Sequence, residues 1–392
     1  MRLFPTTTPA SRRSLLKFPA LWKKPTPRTV LVIGGAGYIG SALLPKLLAS
    51  GHRVRLFDRM FYGIEPIREV LDHPNLELMQ ADFRRIDKLV EAMRGVNAVI
   101  HLGAIVGDPA CALDRDLTIE INLIGTRTIA EVAKGYGIRR FIFASTCSVY
   151  GANVGPELLT EESPLNPLSL YAGTKLASER VLMELATETF SPTCLRFSTI
   201  YGISGRTRFD LVVNLLTAKA VIDGEITIQG GDQWRPFLHV DDAAHALLQT
   251  LESAPPQIHR QVFNVGSEEQ NHSIRHIGEM IHDLVPPARL TCLEAGGDQR
   301  NYRADFRKIR EQLGFVPRWT IRQGIQQVID SIQSGSVKDY HAAKYSNVKF
   351  LAEEESTTNL LRHESRWAYD LIRQTLLIPK ISPTIAATPA AA

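Results

Sequence analysis

From Thr29 onward, short apolar runs rich in β-branched residues alternate with stretches whose apolar positions recur every three to four residues. The runs fall at 29–33, 53–57, 75–79, 97–101, 139–144 and 193–197, with a seventh near 262–265. Helical patterns occupy 38–50, 84–94, 117–134 and 169–190. Strand and helix in regular alternation predict βαβ units around a parallel sheet. Val30-Leu31-Val32-Ile33 and Phe141-Ile142-Phe143-Ala144 are apolar without a break, as strands become when helices cover both faces. The expected fold class is therefore α/β, a doubly wound parallel sheet. After residue 200 the alternation loosens into Gly-, Arg- and Asp-rich loops around 202–210, 229–242 and 294–303. This divides the chain into a basic extension (1–28), a sheet domain (29–200, with parts of 230–265 returning to it), a smaller substrate lobe (201–335) and a C-terminal extension (336–392). The Ala/Thr/Pro-rich end, Thr384 to Ala392, is expected to be mobile.

At 392 residues and 44% hydrophobic content the chain can bury a large core. The formal charge of +4 owes much to residues 1–28, which hold seven Lys or Arg and no acid. The remainder is near neutral, which argues against a nucleic-acid surface. Four cysteines, Cys111, Cys147, Cys194 and Cys292, lie far apart with no C-x-x-C spacing, so neither a disulfide framework nor a zinc site is expected and a reducing, cytoplasmic setting fits. No apolar run reaches the roughly 18 residues of a membrane span. Ser11-Arg12-Arg13-Ser14-Leu15-Leu16-Lys17 has the outline of a twin-arginine or transit signal, but Pro19 and Lys23-Lys24 leave it no apolar core, and a disordered extension is the expectation.

Gly34-Gly35-Ala36-Gly37-Tyr38-Ile39-Gly40 follows the first strand and opens the first helix. A phosphate pair needs close backbone approach and free N–H groups at a helix N-terminus, and side chains at these positions would block both. The pattern marks a Rossmann-type dinucleotide site, with Gly34, Gly37, Tyr38, Ile39 and Gly40 along the cofactor. Asp58 ends the second strand, placed to accept hydrogen bonds from the adenosine ribose. That favours NAD, while the neighbouring Arg59 leaves NADP open as a recipient of the 2′-phosphate. Asp82 follows the third strand and is expected at the adenine amino group. Leu102 and Ala104 follow the fourth, where small residues let the cofactor lie against the chain. His101 is read as a strand-end histidine that packs locally.

Tyr171 and Lys175 fall on one predicted helix, one turn apart on the same face. A phenol titrates near pH 10, so it serves as a base at neutral pH only if nearby positive charge stabilises the phenolate. The Lys175 ammonium and an oxidised nicotinamide would supply that charge. The strand ending at Ala144 runs into Ser145-Thr146-Cys147-Ser148-Val149-Tyr150-Gly151, which puts hydroxyls at the carboxyl edge of the sheet, where open α/β folds bind ligands.

With these motifs in place, the chain resembles the extended short-chain dehydrogenase/reductase superfamily, in its NAD-dependent nucleotide-sugar epimerase/dehydratase branch, over roughly residues 29 to 330. The resemblance implies Thr146, four residues before the tyrosine of Val149-Tyr150-Gly151, as the catalytic hydroxyl, with Ser145 second. It implies Tyr171 and Lys175 as the remaining catalytic pair. It implies Asn122, in Asn122-Leu123-Ile124-Gly125-Thr126, as an architectural residue. In Gly231-Asp232-Gln233-Trp234-Arg235-Pro236-Phe237-Leu238-His239-Val240-Asp241-Asp242 it implies Arg235 as the ligand of the substrate's phosphates, in place of a surface arginine paired to Asp232. Three positions depart from the family. Cys147 and Ser148 stand where the dehydratases carry the Asp-Glu pair that eliminates water. Thr199 replaces an asparagine of the substrate site. Ala295 replaces an arginine near Gly297-Asp298, for which Arg300 or Arg303 could compensate.

The reading is an epimerase of a nucleotide-diphosphate sugar acting through a transient keto-sugar. Its rivals are an NAD(P)H-dependent 4-ketoreductase or dehydrogenase of a sugar nucleotide and, from another class, a non-catalytic dinucleotide sensor or RNA-binding protein. The intact Thr146, Tyr171 and Lys175 argue against the last. A homodimer is implied by the resemblance, through the helices bearing Asn122 and Tyr171, with no membrane or nucleic-acid partner.

Overall fold

The computed structural model describes residues 27–153, 155, 157–293 and 298–353. The basic segment before residue 27 and the Thr384–Ala392 end lie outside the described residues.

The strands are β1 (Thr29–Ile33), β2 (Arg53–Asp58), β3 (Leu76–Gln80), β4 (Ala98–His101), β5 (Arg140–Thr146), β6 (Ser191–Phe197), β7 (Thr199–Tyr201), β8 (Glu225–Gln229), β9 (Trp234–His239), β10 (Gln261–Val265), β11 (Asn271–Ser273) and β12 (Arg289–Leu293). The helices are α1 (Tyr38–Ala49), α2 (Ile86–Met93), α3 (Asp108–Leu113), α4 (Arg115–Ile119), α5 (Gly125–Gly135), α6 (Leu170–Leu185), α7 (Val212–Ala218), α8 (Val240–Glu252), α9 (Pro255–Ile258), α10 (Ile274–Leu284), α11 (Arg307–Leu313), α12 (Ile321–Gln333) and α13 (Asn347–Glu353).

Seven strands form one parallel sheet in the order β10-β6-β5-β4-β1-β2-β3. The winding reverses between β1 and β4, which opens a crevice at their carboxyl ends, the place where open α/β sheets take ligands. Two apolar clusters explain the unbroken hydrophobic runs. Val30, Val32, Leu56, Ile100 and Ile142 pack under α1 and α8 on one face, and Leu31, Ile33, Val99, Phe141 and Phe143 pack under α2, α5 and α6 on the other. Alternate residues of the same strand thus enter opposite cores.

Four segments differ from the sequence reading. The helix expected at 117–134 is α4 and α5 joined by a π turn, Glu120–Ile124. The wider turn accompanies two hydrogen bonds that Asn122 makes to Ile105: the Ile105 N–H donates to Oδ1 at 2.8 Å, and Nδ2 donates to the Ile105 carbonyl at 2.9 Å. The helix expected to reach residue 190 stops at Leu185, because Ala186 leaves helical geometry and Thr187 turns back to bond Phe190. The segment read as a loop at 229–242 contains β9, which pairs with β7 and β11, and the start of α8. Residues 337–353, read as an extension, fold back on the sheet domain. Asn347 Nδ2 donates to the Val106 carbonyl at 2.8 Å, and the Tyr62 and Phe350 rings lie 4.7 Å apart. None of the described helices is long and apolar enough to cross a membrane.

Candidate active site

A cleft of about 800 Å³ opens along the carboxyl edge of the sheet. Most of the residues singled out from the sequence line it: Gly34, Gly37, Tyr38, Ile39, Gly40, Asp58, Arg59, Asp82, Leu102 and Ala104 on one side, and Ser145, Thr146, Tyr171, Lys175, Thr199, Arg235 and Arg300 on the other, whereas His101, Asn122, Cys147 and Arg303 do not.

The glycine-rich turn is forced by close approach. Gly34 has φ +78°, and a Cβ there would sit 2.5 Å from the Gly103 nitrogen in the turn after β4. A Cβ at Gly40 would lie 2.4 Å from the Gly35 carbonyl oxygen, so α1 can begin this close to β1 only without one. Asp58 braces the turn: the Ala36 N–H donates to one carboxylate oxygen at 2.9 Å and the Met60 N–H to the other at 2.7 Å. Burial, opposed by these two bonds, raises its pKa. Tyr38 donates its hydroxyl to the Gly202 carbonyl at 2.7 Å, tying the first turn of α1 to the loop after β7.

Asp82 and Ser145 already hold protein partners in the cleft wall. Asp82 was expected to face the adenine, yet Arg84 occupies both its oxygens, Nε donating at 3.0 Å and Nη2 at 2.7 Å. Ser145 was the second candidate for the substrate oxygen, yet its hydroxyl donates to Glu179. That carboxylate also pairs with Arg196 at 2.8 Å in a buried network beneath the cleft. Cys147 is buried and turns its thiol to the Arg196 carbonyl. His101 is buried, shares a hydrogen bond with Thr126 at 3.0 Å, and is pushed down to about 3 by burial and by the Lys175 charge, so it stays neutral. Arg235 pairs with Asp298 at 3.2 Å, and Asp232 pairs with Arg275.

At the reacting centre Tyr171 packs against Ile105, Ala110 and Cys111. Burial is the largest influence on its phenol and raises the pKa above the ordinary tyrosine value. Cys111 and Asp108 act the same way, while the Arg208 guanidinium and a hydrogen bond with Thr146 oppose it. Lys175 was expected to supply the opposing charge. Its ammonium instead donates to the Ala144 carbonyl at 2.8 Å, under β5, and burial pushes it down to about 8. The unliganded Tyr171 is thus protonated at neutral pH, and it needs a further positive charge to act as a base.

Opposite Tyr171, Arg235 and Arg300 converge on Asp298, whose carboxyl is held down to about 2 despite burial by Arg300 and Arg235. Arg300 also donates to Ser148 at 3.2 Å and pairs with Asp108 at 3.4 Å. Two arginines sharing one half-exposed carboxylate form an anion site with a removable counter-charge. Sequence reasoning missed the arginines of the 202–210 loop. Arg206 and Arg208 are both buried in the cleft wall, Arg208 bonded to Asp210 at 2.9 Å and Asp210 in turn accepting the Asn347 N–H at 2.9 Å. Among the described residues no group of three or more His, Cys, Asp or Glu could hold a metal ion.

Fold and cleft define a dinucleotide-dependent α/β enzyme. The sequence profile of the NAD dependent epimerase/dehydratase family matches residues 30–266, and the chain belongs to that family. Among its relatives is a UDP-glucose 4-epimerase of Corynebacterium glutamicum, 28% identical over 80% of this chain and 98% of its own. Another is a UDP-N-acetyl-alpha-D-glucosaminuronate decarboxylase of Bacillus cytotoxicus, 27% identical over 76% and 96%. The solved structure of MoeE5 in complex with UDP-glucuronic acid and NAD superposes with a TM-score of 0.68 at 31% identity, covering 78% of this chain and 99% of that one. UDP-glucuronic acid 4-epimerase from Bacillus cereus, in complex with UDP-glucuronic acid and NAD, gives 0.68 at 27% identity, with 78% and 99% covered. The protein is an NAD-dependent enzyme of the extended short-chain dehydrogenase/reductase superfamily. The sheet crevice fits the cofactor, because the helix-opening turn carries no side chain that would fill the phosphate cradle.

Proposed function

We propose that this enzyme epimerises a nucleotide-diphosphate sugar, a UDP-sugar first among the candidates, through a transient keto-sugar. Bound NAD would be held by Gly34 to Gly40, Asp58 and the Leu102 to Ala104 turn, and supplies a hydride acceptor. Tyr171 takes the proton of the sugar hydroxyl being oxidised and returns it when the carbonyl is reduced. Thr146 orients that oxygen, and Lys175 holds the β5 edge against the helix that carries Tyr171. Arg235 and Arg300 receive the diphosphate in exchange for Asp298, two planar forks suiting paired phosphate oxygens.

The observation that carries the choice of epimerase is what flanks Thr146. Cys147 faces the Arg196 carbonyl and the Ser148 hydroxyl accepts from Arg300, so neither position offers the acid and base that elimination of water requires. Proton transfer through Tyr171 alone suffices for oxidation and re-reduction at one carbon. UDP-sugar complexes of the neighbouring structures and the 4-epimerase relatives support the same reading. A homodimer through the helices bearing Asn122 and Tyr171 belongs to this proposal; light scattering would give twice 43.6 kDa. The deciding experiment incubates the purified protein with UDP-, dTDP- and GDP-sugars while following product and the absorbance of reduced cofactor. Product with steady absorbance supports epimerisation. Stoichiometric change of the cofactor, or release of carbon dioxide, overturns it in favour of a dehydrogenase, a reductase or a decarboxylase.

A further inference from the structure

Arg206 is 5% exposed, and its Nε and Nη2 atoms have no hydrogen-bond partner. A buried guanidinium lacking partners costs several kcal/mol unless a ligand completes it, so such groups mark places where an anion is received. Its position says which anion. The Arg206 N–H donates to Ser41 Oγ at 3.3 Å, within the first turns of α1, and Ser204 Oγ donates to the Tyr38 carbonyl at 2.9 Å. The loop carrying Arg206 is therefore laid across the helix N-terminus that the glycine-rich turn opens. Both Arg206 and Gly37 to Gly40 line the cleft.

Behind the guanidinium lies the Tyr62 ring, 3.8 Å from the Arg206 Cζ to its centroid. Tyr62 donates its hydroxyl to Asn347 Oδ1 at 3.3 Å, and Asn347 belongs to α13, beyond the residues that the family profile matches. The stacked ring fixes the plane of the fork in the cleft wall, where its Nε and Nη2 atoms are buried without a partner. Neighbouring Arg208 is already paired with Asp210, so no carboxylate is left to satisfy Arg206 from that loop. Burial, the largest influence, pulls the Arg206 pKa down, consistent with a cation whose counter-charge arrives from outside the chain.

We propose that Arg206 is a diphosphate clamp for the dinucleotide cofactor, closing over the phosphates from the side opposite the glycine-rich turn, with Tyr62 and the C-terminal residue Asn347 holding it in place. This rests on the cofactor alone and not on the sugar chemistry, so its failure and that of the epimerase reading are separable.

The test is titration calorimetry of the full-length protein with NAD, ADP-ribose, adenosine and UDP. Arg206→Ala is expected to weaken NAD and ADP-ribose alike by about ten- to hundredfold, the range for charge-assisted hydrogen bonds, and to leave adenosine and UDP unchanged. Arg206→Lys keeps the charge and loses the fork, and is expected to fall between. Tyr62→Leu is expected to repeat part of the loss for the diphosphate ligands only. Unchanged NAD affinity in Arg206→Ala overturns the proposal. So does a loss confined to UDP, which would assign the clamp to the substrate's diphosphate. An equal loss for adenosine across Arg206→Lys and Tyr62→Leu overturns it as well, by reducing the residue to a structural support.

Discussion

Gly37→Val separates folding from cofactor binding, and the structure allows its size to be worked out. Gly37 caps α1 with φ −83° and ψ −171°, an extended conformation open to valine. An added Cβ meets only the Gly34 carbonyl oxygen, at 3.3 Å, a contact that asks for a shift of a few tenths of an ångström. The fold should lose no more than about 1–2 kcal/mol. The two γ-methyls, however, enter the cleft where the phosphates must approach the backbone. Wild-type protein with NAD at a hundred times its Kd gains about 2.7 kcal/mol. For a folded unit of this size that is a rise in Tm of about 5 °C, at roughly 2 °C per kcal/mol. Differential scanning fluorimetry with and without NAD should show the rise in wild type and none in Gly37→Val, the two proteins melting close together when unliganded. Gly40→Ala provides the contrast, since its Cβ would collide with the Gly35 backbone at 2.4–2.6 Å and the unliganded protein itself should melt far lower. A normal NAD shift in Gly37→Val would refute the assignment of the phosphates to this turn.

Two further outcomes follow from buried charges. Lys175 titrates at about 8 in the folded protein against an ordinary value of 10.5, so between these pH values the unfolded chain binds a proton that the folded one lacks. Stability of the unliganded protein relative to Lys175→Met should therefore be lowest below pH 8 and climb toward pH 10.5, as urea melts across that range would show. Glu179 is nearly fully buried, with Arg196 and Ser145 as partners, and Glu179→Ala leaves the arginine uncompensated. It should cost about 3–5 kcal/mol in urea denaturation, whereas the double variant with Arg196→Met should cost less than the sum of the singles.

The parallel sheet was legible because its strands are buried on both faces. Continuous runs such as Val30 to Ile33 and Phe141 to Ala144 announce themselves without any partner in view. β9 was not legible, because Trp234-Arg235-Pro236 interrupts any apolar alternation and its pairing with the three-residue β7 and β11 is a tertiary fact. The dinucleotide turn could be read because chemistry and backbone constraint coincide on the glycines. Tyr171 and Lys175 were legible as a pair, but their division of labour was not: which cation bears on the phenol depends on where the Lys175 ammonium ends, and it ends on the Ala144 carbonyl. The partners of Asp82 and Ser145 were not legible for the same reason, since Arg84 and Glu179 reach their polar atoms through contacts that spacing does not reveal. Of the several arginines in the 202–210 loop, no pattern tells which turn inward. The return of Asn347 and Phe350 to the sheet domain depends on single side chains too sparse to form a period.

The proposed chemistry passes through one proton carrier, which Tyr171→Phe removes. The phenyl ring keeps the packing against Ile105 and Cys111 and removes only the hydroxyl. With NAD occupancy of the purified variant measured beside wild type, and turnover followed on whichever nucleotide sugar the wild type converts, occupancy should be unchanged while the rate falls by about 10²–10⁴-fold. Wild-type turnover by Tyr171→Phe at equal occupancy would contradict proton transfer through Tyr171.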